Sequence, residues 1–134
     1  MAAKPLWDNA KNIMLEMRDL IQRGNTERVK ESRFGWQYRL LDQCKAIKAD
    51  MESQGYRVHD CTVFHFALAA RIENPTKRLL LVPIKGIASL TPTESLSPNS
   101  YWDIKDADRV LTPDEISGAD IMIITLDGGE GQEG

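Results

Sequence analysis

The residues with the most unusual chemistry in this chain are Arg28, Lys30, Arg33, Phe34, Tyr38, Arg39 and Leu41. Residues 33–39 read RFGWQYR and interleave aromatic rings with arginines. Guanidinium and aromatic planes can stack on nucleic-acid bases while the charge meets phosphate. The same residue types also anchor protein–protein interfaces. A third use is internal, with the rings packed on the protein's own core. Spacing alone leaves all three open.

His59, Cys61 and His65 share the odd-numbered face of one extended run. They are soft ligands, so zinc must be weighed. At about 3.3 Å per residue, His59 and His65 lie roughly 20 Å apart in a straight strand. Zinc ligands sit about 2.0–2.3 Å from the metal. One ion cannot reach both, and no metal site is expected. Asp103, Asp106 and Asp108 follow Tyr101-Trp102. They lack the glycine and closing glutamate of a helix-loop-helix calcium loop, and a solvated acidic edge is the plainer reading. No phosphate-cradling glycine loop, nucleophile elbow or HExxH motif occurs, so no cofactor is implied.

The totals describe a globular domain: 134 residues, 42% hydrophobic, 28% charged, net charge −3. Residues 1–60 hold 11 bases against 9 acids, and residues 61–134 hold 6 against 11. The basic excess centres on Gln22–Lys48, with seven bases and three acids. A dedicated duplex binder carries more. Two cysteines, Cys44 and Cys61, make no disulfide framework and read as thiols of a reducing cytoplasm. No apolar run approaches the roughly 18 residues of a membrane span, and the N-terminus lacks the apolar core of a secretory signal.

The elements that must position these residues follow from periodicity. Leu6, Ala10, Ile13, Met14, Met17, Leu20 and Ile21 recur at helical spacing. They predict a helix over Pro5–Arg23, with Gly24 just past its end. Val29, Trp36, Leu40, Cys44, Ile47 and Met51 predict a second helix from Asn25 or Thr26 to about Gln54, stopped by Gly55. Phe34, Tyr38 and Leu41 form a second apolar line on that helix, available to a sheet or to another chain.

Residues 62–84 alternate and then run apolar, predicting a β-hairpin with its even-numbered face inward. The register that stacks apolar on apolar sets Ala70 opposite Leu80, Leu68 opposite Val82 and Phe66 opposite Ile84. Pro83 places its strand near an edge or at a bulge. Residues 90–100 read as a loop by their Pro, Ser and Thr content. Thr112-Pro113-Asp114-Glu115 has capping-box form and predicts a short helix. Asp120–Leu126 is apolar on both faces and predicts a central strand.

The expected fold is α+β, an N-terminal antiparallel helical hairpin packed on a small, mostly antiparallel sheet. Residues 1–126 form one domain, and residues 127–134 form a flexible Gly/Glu tail. The expected function is that of a small non-enzymatic cytoplasmic interaction protein: an accessory, adaptor or inhibitor that binds a protein partner or itself as a homodimer. The alternative is a nucleic-acid or nucleotide-binding protein using the Arg/aromatic stretch. A small enzyme built on His65 or on the acids of residues 103–108 ranks third.

Overall fold

The computed structural model describes residues 3–91, 94–105 and 108–127. The described chain is mostly β. It runs β1 (Lys4–Pro5), α1 (Asp8–Gln22), β2 (Glu27–Ser32), β3 (Gly35–Arg39), α2 (Leu41–Ser53) and β4 (Val58–Phe66). It continues with β5 (Ala70–Ile72), β6 (Leu79–Lys85), β7 (Ala88–Leu90) and β8 (Glu94–Leu96). It closes with β9 (Ser100–Ile104), β10 (Arg109–Pro113) and β11 (Ala119–Leu126). A seven-stranded antiparallel sheet has the order β1-β9-β6-β11-β4-β3-β2. A four-stranded antiparallel sheet has the order β5-β10-β7-β8.

The molecule has three layers: two helices, the large sheet and the small sheet. Each face of the large sheet supports its own core. On the helix side, Ala10, Met14 and Met17 of α1 and Ile47 and Met51 of α2 meet Val63, Val82, Met122 and Ile124. On the other side, Leu81, Trp102, Ile104 and Ile121 meet Ile72, Leu90, Leu96 and Leu111 of the small sheet. Each fully buried aliphatic side chain contributes about 1.5–3 kcal/mol.

This arrangement overturns the helical hairpin on a small sheet. The first helix is present. Its end is a Schellman motif, with Gly24 N–H bonded to the Ile21 carbonyl, Asn25 N–H to the Leu20 carbonyl, and φ of 71° at Gly24. The second helix begins only at Leu41 and ends at Ser53, closed by Gly55 in the same motif. Residues 27–39, expected to be its first half, are the β2–β3 hairpin instead. The periodicities overlapped. Trp36, Leu40 and Cys44 fit a helical stripe, but Trp36, Tyr38 and Leu40 also fit period two. The aromatic and β-branched content of 29–38 belongs to a strand.

The 62–84 hairpin is also replaced. β4 pairs with β3 and β11, and β6 pairs with β11 and β9, so β11 lies between the two. The chain leaves the large sheet after Phe66, and β5 joins the small one. Leu68, expected in the core, is 48% exposed at that crossing. β11 is the middle strand of seven, as its two apolar faces require. Pro83 lies beside a bulge against β11, beyond the last residue paired with β9. The 90–100 stretch contributes β8 and the ends of β7 and β9. Thr112 and Pro113 end β10 and lead into a turn rather than a helix. The tail beyond Asp127 lies outside the described residues.

Candidate functional site

The seven residues singled out from sequence stand on β2, the β2–β3 turn, β3 and the start of α2, and the pleat divides them. Arg28 and Tyr38 point to the helix side. Lys30 sits in a bulge of β2 with φ of 53° and borders a hollow on the opposite side. Arg33 and Phe34 form the turn, with the Arg33 guanidinium 5.0 Å from the Phe34 ring centre. Arg39 is paired with Glu27 at 3.2 Å. Leu41 is exposed at the first turn of α2. The line Phe34–Tyr38–Leu41 is therefore no single surface: Tyr38 is buried, while Phe34 and Leu41 are exposed.

On the helix side, cross-strand register builds a polar row. Tyr38 faces Arg28, Trp36 faces His65, His65 faces Asp120, and Asp120 faces Lys85. The Arg28 guanidinium lies 3.8 Å from the Trp36 ring centre. The Trp36 and His65 rings stack at 4.1 Å with planes 11° apart. Asp120, 5% exposed, accepts from the Tyr38 hydroxyl at 3.0 Å and contacts His65 Nδ1 at 2.8 Å through the same oxygen. A carboxylate there orients the imidazole with Nδ1–H toward it, leaving Nε2 beside Gly118. An Asp–His pair can serve as a general base. Among the described residues, however, no serine, threonine or cysteine is hydrogen-bonded to His65.

The Tyr38 hydroxyl is pushed up from 10.0 to about 12, first by burial and next by the negative charge of Asp120. The unfolded chain releases this proton near pH 10 and the folded one near pH 12. The stability Tyr38 contributes is thus complete below pH 10 and is lost as pH rises from 10 to 12. Ultraviolet tyrosinate absorbance should show a tyrosine titrating near pH 12 that vanishes in Tyr38→Phe, distinct from Tyr101, which burial also pushes up. In Asp120→Asn it should titrate earlier.

The other face of β4, β3 and β2 has a different character. The small sheet covers β6, β9, the Ile121 end of β11 and Phe66 at the end of β4, and leaves the rest of this face open. A cleft of about 440 Å³ is floored by Phe64, Phe66, Ile123, Thr62 and Thr125 and rimmed by Arg71, Glu73 and Pro75. A second hollow of about 160 Å³, bordered by Lys30, Phe34 and Gln37, shares Phe64 and Phe66 with it. Phe34 is 44% exposed. Its carbonyl accepts from Ala67 N–H at 2.8 Å, which fixes the hairpin tip against the exit of β4. On the far rim, Arg71 is bonded to Asp108 at 2.7 Å, and Asn74 N–H bonds the same carboxylate at 2.9 Å. These two partners hold the Asp108 carboxyl below the usual range, the Asn74 bond contributing most.

The remaining candidates are dispersed. His59 is exposed beside Asp127 at 3.5 Å, six residues along β4 from His65. Among the described residues no three His, Cys, Asp or Glu side chains group to hold a metal. Asp103 is buried and paired with Arg78 at 3.3 Å, apart from Asp108, and Asp106 lies outside the described residues. Asp103 is three strands away from β4, and none of the clefts described joins it to His65. Among the described residues no helix is long and apolar enough to cross a membrane.

Sequence reasoning missed Asp120 as the partner of His65 and Phe64 as the floor of the open face. A signal for the first was present: a lone aspartate opening an otherwise apolar strand needs a hydrogen-bonded partner. No family model, curated protein or solved structure matches this chain.

Proposed function

We propose that the protein is a non-enzymatic interaction protein of the cytoplasm, and that it binds a protein partner on the open face of β4, β3 and β2. The observation that carries this reading is the continuous apolar floor formed where the small sheet stops. Phe64 and Phe66 join two clefts, and Phe34 stands exposed at their end. Concave apolar surface with a few polar groups at its rim is the usual form of a binding cleft. The occupant is a polypeptide segment that presents aliphatic or aromatic side chains. A polyanion fits less well, because Arg71 on the rim is bonded to Asp108 and the Arg28 guanidinium lies on the opposite face.

Phe34→Asp places a charge at the end of this floor without touching either core. The variant should keep the wild-type melting temperature within about 2 °C, since substitutions at exposed positions usually shift stability by less than about 0.5 kcal/mol. In affinity capture from native host extract it should lose, by tenfold or more, a protein that the wild type retains. Equal recovery of that protein by both would remove Phe34 from the contact. Concentration-dependent light scattering distinguishes a second copy of this chain from a foreign partner.

A further inference from the structure

The sequence gives no reason to bring Cys44 and Cys61 together. The structure does so. Cys44 lies in the first turn of α2, with its N–H bonded to the Leu40 carbonyl at 3.0 Å. Cys61 lies on the helix-side face of β4, opposite Ile124 of β11. Both residues line one cavity of about 200 Å³ at the seam of β3, α2 and β4, together with Val29, Gln37 and Arg39. Both also pack against the helix-side core at that seam. Neither is fully buried, and both are reduced.

We propose that Cys44 and Cys61 are a redox-active dithiol that closes to a disulfide by exchange with low-molecular-weight disulfides, tying the start of α2 to β4. The chemistry divides between the two sulfurs. Cys44 stands in the first turn of α2, where the helix dipole favours a thiolate, and its thiol is held below its ordinary range, while the neighbouring Cys44 and then burial push Cys61 up. Cys44 is therefore the attacking thiolate. It displaces one thiolate from the small disulfide, breaking that S–S bond and forming a mixed disulfide on Cys44. The displaced thiolate takes the proton Cys44 gave up. Cys61 then loses its proton and attacks the Cys44 sulfur, and the second small thiol leaves with that proton. Two electrons pass from the cysteine pair to the reagent, giving two small thiols and one Cys44–Cys61 bond.

The cross-link has a mechanical consequence. Leu40, buried at 4% exposure, connects β3 to α2 directly beside the pair. Oxidation fixes α2 against the strand whose opposite face floors the open cleft, and it constrains the unfolded chain.

The test equilibrates the full-length protein with reduced and oxidised glutathione over a range of ratios, traps thiols with an alkylating reagent and measures intact mass. The expected product is a monomer about 2 Da lighter than the reduced chain with neither cysteine alkylated. A non-reducing peptide map should join the segments containing Cys44 and Cys61. The melting temperature should rise by on the order of 5–10 °C. Cys61→Ala should stall with glutathione on Cys44, and Cys44→Ala should react markedly more slowly. The proposal is overturned if both thiols are alkylated at every ratio, or if wild-type protein accumulates the glutathione adduct without closing. Closure that lowers the melting temperature would also overturn it.

Discussion

Replacing Gly35 by alanine should abolish the native fold at ordinary temperature. Gly35 opens β3 with φ of 143°, a conformation that residues with a Cβ rarely adopt. Its neighbour matters more than its dihedral. A Cβ built at this position would lie 1.8 Å from the carbonyl oxygen of His65 and 2.9 Å from its carbonyl carbon. Both are backbone atoms of β4, paired on both sides, so no side chain can swing aside. The clash is relieved only by separating β3 from β4. That separation unstacks Trp36 from His65 and detaches the Phe34 turn. The expected loss exceeds about 4 kcal/mol, beyond the range of ordinary substitutions.

Gly24→Ala is the natural control. Gly24 also has positive φ, at 71°, but nothing lies within 4 Å of the added Cβ. Its cost should be about 1 kcal/mol, the strain of the left-handed region alone. Denaturant melts followed by circular dichroism compare the two directly. Similar melts for both variants would contradict the close approach of β3 to β4.

The second large effect is expected at Asp120. Asp120→Ala removes the acceptor shared by the Tyr38 hydroxyl and His65 Nδ1, where Tyr38 and Asp120 are themselves buried. Hydrogen bonds to a charged group are each worth about 1.5–3 kcal/mol, and a buried donor left unpaired adds its desolvation penalty. The expected destabilisation is about 3 kcal/mol. Asp120→Asn retains an acceptor oxygen and should cost less. In a double-mutant cycle, Tyr38→Phe should be markedly less harmful in the Asp120→Ala background than in wild type, because the two groups share one bond. Additivity of the two substitutions would separate Tyr38 from the network.

What the sequence disclosed depended on whether one periodicity stood alone. α1 has a single helical stripe and a glycine stop, and both were legible. β11 has no polar face, and its central place followed. Residues 27–39 satisfied two periods at once, and the reading went to the longer element. In a helix Gly35 is only a cost in stability. Its actual role, a close approach of two strands, belongs to the tertiary structure and leaves no local mark. The 62–84 hairpin failed for a related reason. Apolar faces specify that strands must be covered, not which strand lies beside them, and β11 from the far end of the chain intervened.

The candidate site shows the same division. Arg28, Phe34 and Tyr38 were singled out for their chemistry, yet the pleat sends Arg28 and Tyr38 to the face away from the open cleft. Trp36 was placed on the stripe of the expected second helix and proves to be half-buried between a guanidinium and an imidazole. The open face could not be anticipated, because it is defined by where a second sheet stops. The Cys44–Cys61 pair likewise depends on α2 beginning at Leu41 and lying over β4.

The open face is the centre of the account, and amide hydrogen–deuterium exchange tests it most directly. The protein should be compared alone and bound to the partner captured by the wild type. Slowed exchange is expected at the β2–β3 turn around Phe34, along β3 and β4, and in residues 67–76 at the cleft rim, with α1 and α2 unchanged. Protection confined to the helices, with the Phe34 turn and β4 exchanging as in the free protein, would contradict it.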